Sequence, residues 1–82
     1  MTSQVRKRDG RLEAFNPSKI ASAILKAFNA VGEGGPEEAE RLAKRVAELV
    51  EARFEGSIPS VEDVQDVVEE ALIKAGYAMA AK

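Results

Sequence analysis

Lysines and carboxylates are the side chains with which this chain can do chemistry. Its 82 residues contain neither Cys nor His, which removes disulfides, thiol nucleophiles, Cys/His zinc sites and every histidine-based triad or general base. The remaining charge is unevenly placed. Within residues 1–26 six basic groups (Arg6, Lys7, Arg8, Arg11, Lys19, Lys26) meet two acidic ones (Asp9, Glu13), a balance of +4, whereas residues 27–82 hold six basic against twelve acidic groups, a balance of −6. A solvated surface of uneven composition is the plain reading of that division, and an anionic ligand at the N-terminal part is the functional one.

Lys19 is the most informative single residue. Asn16 is suited to an N-cap and Pro17 to the first helical position, so Lys19 falls in the first helical turn, where the positive end of the helix dipole disfavours a cation. A phosphate held jointly by the free backbone N–H groups and the ammonium would explain it. An exposed lysine that tolerates a few tenths of a kcal/mol of poor placement is the competing explanation. Lys7 tips the balance towards phosphate, because it lies on the strand leading into that helix and both ammonium groups could converge on one polyphosphate. Glu13, among Arg6, Arg8 and Arg11, is most simply a cross-strand ion-pair partner; as a functional group it would accept a hydrogen bond from the exocyclic amine of adenine. No glycine-rich phosphate loop of the Walker or dinucleotide type is present, so a nucleotide site here must be of another kind.

These residues need elements to hold them. Residues 5–8 and 11–15 flank Asp9-Gly10, a pair suited to a two-residue hairpin turn. Around such a turn, simple alternation puts Lys7 with Val5, Leu12 and Ala14 but Glu13 on the opposite face with Arg6 and Arg8. A bulge beside Gly10, or a ligand at the hairpin edge, would bring both to one pocket. A first helix follows, with Ile20, Ala23, Ile24, Ala27, Phe28 and Val31 as its apolar stripe and Gly32 as its left-handed end. Pro36, Glu37 and Glu38 open a second helix that runs to about Phe54, its stripe formed by Ala39, Leu42, Ala43, Val46, Leu49, Val50 and Phe54, and Gly56 ends it. Residues 57–59 are extended and can add a third edge strand. Ser60 and Asp63 resemble a capping box at the head of a third helix, which has Val64, Val67, Val68, Ala71, Leu72 and Ala75 on one stripe and closes at Gly76. The apolar, helix-forming residues 77–82 carry no stop signal and are expected to begin a fourth helix in which the chain ends. The expected fold is thus α+β: three helices plus the start of a fourth, capped by an N-terminal β-hairpin with a short third strand, in a single domain over residues 1–82. The polar start and the lack of any apolar run near 20 residues argue against a leader or membrane span and make the cytosol the expected compartment.

The run from Val5 to Ile20, VRKRDGRLEAFNPSKI, resembles the opening of the ATP-cone, the allosteric nucleotide-binding domain of ribonucleotide reductases. Residues 58–69, IPSVEDVQDVVE, are similar to that family's second signature. The resemblance implies ATP or dATP, with accompanying Mg2+, bound as an effector between the hairpin and the helix ends, without hydrolysis and without a structural metal. Carried over by position, Val5 and Lys7 would line the site, Arg8, Asp9, Gly10 and Arg11 would form its flexible cover, Glu13 and Asn16 would meet adenosine, and Lys19 would meet phosphate. Val61 and Gln65 occupy positions that contact nucleotide in relatives, often through a threonine and a histidine, and this sequence departs there. Relatives also continue beyond the segment matching residues 77–82 with a long basic helix, so the resemblance makes this chain a domain truncated in its last helix. The implied partners are the catalytic domain or subunits of a reductase, with no membrane and no direct nucleic-acid binding expected. An ATP-cone in a transcriptional regulator of reductase genes is the alternative, although such a regulator places a zinc ribbon ahead of the cone, which a chain without Cys cannot form. A protein-interaction module without a nucleotide site is the other.

Overall fold

A computed structural model describes residues 4–82; the polar start at residues 1–3 lies outside the described part. The order of elements is β1 (Gln4–Arg6), β2 (Leu12–Ala14), α1 (Pro17–Val31), α2 (Pro36–Arg53) and α3 (Val61–Lys74). It is the expected α+β arrangement of a hairpin on a three-helix bundle.

The hairpin corrects the sequence reading at its turn. Val5 pairs with Glu13 and Arg6 with Leu12, and the Lys7 N–H donates to the Arg11 carbonyl at 2.8 Å while the Gly10 N–H donates to the Lys7 carbonyl at 2.9 Å. The loop is therefore three residues long, Arg8-Asp9-Gly10, with Gly10 at φ +91°. The common form of such a loop is a type I turn followed by a left-handed glycine bulge, and Gly10 fits the last position. The extra residue changes the parity of the register, so Val5 and Glu13 share a face. The expected third strand shrinks to a single parallel bridge between Arg6 and Ser60, with the Arg6 N–H donating to the Pro59 carbonyl at 2.9 Å.

The helix ends follow their local chemistry. Asn16 Oδ1 accepts from the Ser18 N–H at 3.0 Å, and Pro17 stands at the first helical position. Gly32, at φ +73°, ends α1 in the left-handed region. Ser60 and Asp63 form a reciprocal capping box at 3.0 and 2.9 Å, which uses two backbone donors at the head of α3. α2 stops at Arg53, with Phe54 as its cap.

Helix α2 is the centre of the bundle, with α1 and α3 both packed on it. Val46 and Val50 of α2 join Val5, Val64, Val67 and Ala71 in one buried cluster under the hairpin. A second cluster at the opposite end joins Ile24 and Phe28 of α1 to Ala39, Leu72 and Ala80. Ala23, Val31 and Ala75, expected on buried stripes, are exposed; Ala23 faces the groove between α1 and α3 instead. The stretch expected to open a fourth helix makes one hydrogen-bonded turn at 78–81, its Ala81 N–H donating to the Tyr77 carbonyl at 3.2 Å. Tyr77 packs on Phe28 with ring centroids 4.7 Å apart, and the Ala80 N–H donates to Glu33 Oε1 at 2.9 Å. These contacts fold the segment back across the lower end of the bundle.

Candidate functional site

Because α1 and α3 each lean on α2, a groove opens between them. It forms a cavity of about 590 Å³, bounded by the hairpin above and by residues 80–82 below, a volume in the ordinary range for small-molecule sites. The floor is apolar, built from Ile20, Ala23 and Ile24 of α1 and Val64, Val68 and Leu72 of α3. The rim is polar and carries Glu13, Asn16, Lys19, Gln65, Glu69 and Lys82. An apolar slot edged by a few charged and amide groups suits a flat, partly polar ligand.

Six residues singled out from the sequence meet there: Val5, Glu13, Asn16, Lys19, Val61 and Gln65. The change of register brings the first two together, since a two-residue turn would have placed Glu13 on the outer face. Glu13 does not pair with the arginines around it, as the simplest sequence reading had it. Its Oε1 lies 3.4 Å from Lys19 Nζ, because the loop parity turns it inward towards the head of α1. Lys19 therefore has a carboxylate partner that offsets its unfavourable place at the helix N-terminus. Asn16 spends its carbonyl oxygen on the cap, which leaves the two N–H donors of its amide for other partners.

The other five candidates, Lys7, Arg8, Asp9, Gly10 and Arg11, lie at the hairpin end and do not line the cavity. Lys7 is half-buried and by alternation leaves the sheet on the face of Val5 and Glu13. Arg11 turns back on Asp9, its Nε 2.6 Å from Oδ2 and its N–H 3.0 Å from Oδ1. Those two hydrogen bonds hold the Asp9 carboxyl below its ordinary pKa. Arg6 Nη1 donates to the Gly10 carbonyl at 3.2 Å, and Arg8 Nε reaches Glu62 Oε1 of α3 at 3.3 Å. The cavity also takes in residues that the sequence reading had not placed in the site, among them Glu69 and the C-terminal Ala80, Ala81 and Lys82. Glu69 stands one helical turn beyond Gln65, so the stripe of Val61 and Gln65 extended by four residues would have found it. Residues 80–82 reach the site through the fold-back of the last segment, for which no local pattern speaks. Among the described residues no group of three or more Asp, Glu, His or Cys side chains could hold a metal ion, and no helix is long and apolar enough to cross a membrane.

A family model described as the ATP cone domain matches residues 3–82. The chain belongs to the ATP-cone family. Curated relatives of this ATP-cone include a vitamin B12-dependent ribonucleoside-diphosphate reductase of Thermoplasma acidophilum, 41% identical over 73 residues that make up 89% of this chain and 9% of that protein. The ribonucleoside-diphosphate reductase subunit alpha of Chlamydia pneumoniae is 37% identical over 83 aligned positions, 93% of this chain and 8% of the relative. A vitamin B12-dependent ribonucleoside-diphosphate reductase of Mycobacterium tuberculosis is 36% identical over 74 residues, 90% of this chain and 10% of the relative. The ATP-cone described here thus spans about a tenth of the length of the curated relatives it matches.

Proposed function

We propose that this ATP-cone binds ATP or dATP in the groove between α1 and α3, does not hydrolyse it, and passes the identity of the nucleotide to the activity of a ribonucleotide reductase. The observation that carries the reading is the meeting of Val5, Glu13, Asn16, Lys19, Val61 and Gln65 around one cavity. In this reading Glu13 and the Asn16 amide address the adenine edge, as acceptor and donor. Lys19 and the N–H groups at the head of α1 attract phosphate, and Lys7 approaches from the hairpin. Val5 and Val61 supply apolar contact, and Gln65 an amide for the sugar or phosphate. The Arg8–Arg11 loop covers the opening. Mg2+ would arrive bound to the phosphates. The sequence offers no constellation for orienting and activating an attacking water, which favours an effector role over turnover.

ATP and dATP differ by one hydroxyl group, so opposite effects of the two on an enzyme would require two states of the larger assembly that each ligand stabilises differently, typically by about 1–3 kcal/mol of coupling. Reductase catalytic domains or subunits are the partners that would carry those states.

Calorimetric titration with ATP, dATP and GTP, with phosphate release followed in parallel, tests the proposal. Saturable binding that prefers adenine nucleotides and releases no phosphate is expected. Binding to short DNA that falls steeply with salt, with no adenine preference, would instead indicate a phosphate-backbone surface.

A further inference from the structure

The hairpin loop is tied to the helices through Arg8. Arg11 is turned back on Asp9 and Arg6 on the Gly10 carbonyl, whereas Arg8 Nε crosses to Glu62 Oε1 at 3.3 Å. Glu62 stands in the first turn of α3, next to the cavity-lining Val61 and three residues before Gln65. The α3 dipole favours a carboxylate in that turn, and Asp63 already supplies the capping one. Neither fact accounts for the reach of Arg8.

We propose that Glu62 is a placeholder for a ligand phosphate: it holds Arg8 against α3 until an anionic ligand takes the guanidinium over, and it thereby lowers affinity for triphosphates while leaving affinity for uncharged adenosine unchanged. The proposal rests on the nucleotide reading of the cavity. A guanidinium offers its fork of N–H donors to carboxylate and phosphate alike, so one anion can replace the other without a change of side chain. Both side chains are largely solvated, 79% and 63% exposed, so the pair is weak enough to exchange. A phosphate arriving at Arg8 must displace Glu62 or tolerate it as a neighbouring negative charge, and in both cases the carboxylate subtracts from binding. Adenosine makes no demand on Arg8.

The test is a double-mutant cycle of Glu62→Gln and Arg8→Gln, read by calorimetry with ATP and with adenosine at fixed salt. Glu62→Gln is expected to bind ATP about two- to fivefold more tightly, the scale of an exposed ion pair, with adenosine affinity unchanged and no gain when Arg8→Gln is also present. Unchanged ATP affinity, or a gain that survives Arg8→Gln, would overturn the proposal. A second readout needs no nucleotide: trypsin cleavage after Arg11, followed by mass spectrometry, should be about twofold faster or more in Glu62→Gln because the loop is released. Equal cleavage would overturn the tether by itself. Failure of the wild-type protein to bind ATP would instead strike the nucleotide reading.

Discussion

Val5 stands opposite Glu13 across the hairpin, and the pairing delivers a valine and a carboxylate together to the edge of one cavity. The arrangement depends on loop parity, since a shift of one residue sends every side chain of a strand to the other face. Deleting Leu12, an exposed strand residue beyond the loop, should therefore set Glu13 opposite Arg6 and turn it outward. Helix content by circular dichroism should persist, while ATP affinity falls by about tenfold or more, the scale of one charged hydrogen bond. Wild-type affinity in the deletion variant would show that Glu13 need not face the groove.

Much of the fold was legible because local chemistry decides it. Asn16-Pro17, the Ser60/Asp63 box and Gly32 each satisfy or end a helix within a few residues, and each acts as its sequence implies. The hairpin loop was not legible at single-residue precision. Asp9-Gly10 suits a two-residue turn as well as the last two positions of a three-residue loop, and the two differ in which residue stands opposite Glu13. The resemblance carried the candidate site further than spacing alone could. It named Val61 and Gln65, whereas the groove itself arises from two helices leaning on a third. Lys82 belongs to that tertiary geometry, whereas Glu69 lies on the α3 stripe of Val61 and Gln65, one turn further on.

Lys19→Ala should separate ligand binding from stability. The Lys19 side chain is 69% exposed and its Glu13 partner 41% exposed, so the pair contributes at most about 1 kcal/mol to the fold. A phosphate contact in the groove is a charged hydrogen bond of about 1.5–3 kcal/mol. Thermal midpoint should move little, ATP affinity should fall about tenfold or more, and adenosine affinity should hold. Equal losses for adenosine and ATP would remove Lys19 from the phosphate end.

Gly34 is constrained by packing as well as by its φ of +51°. A Cβ there would lie 2.5 Å from the ring of Phe28, and that ring is fully buried and packed against Tyr77. Gly34→Ala should destabilise by about 1–3 kcal/mol, lowering the thermal midpoint by about 4–8 °C per kcal/mol for a domain of this size. A midpoint within a degree of wild type would mean that Phe28 can move aside.

Acid sensitivity should run through Glu70. Hydrogen bonds from Arg53, at 2.6 Å, and from Lys74 pull its pKa from 4.5 down to about 2. A carboxyl depressed on folding adds stability above its unfolded value, and that stability is lost as pH falls from about 4.5 towards about 2. Glu70→Gln should flatten this part of the acid limb and leave the slope above pH 6 unchanged. Denaturant melts across the range check it, and an unaltered acid limb would assign the sensitivity to other carboxyls.

The most direct test of the account is a nuclear magnetic resonance titration of the 15N-labelled protein with ATP, followed residue by residue. Saturable shifts at Val5, Glu13, Lys19, Val61 and Gln65, with the outer residues of α2 such as Glu40 and Lys44 unmoved, are the predicted result. Shifts confined to the outer face of α2, or none at saturating ATP, would contradict the placement of the nucleotide between α1 and α3.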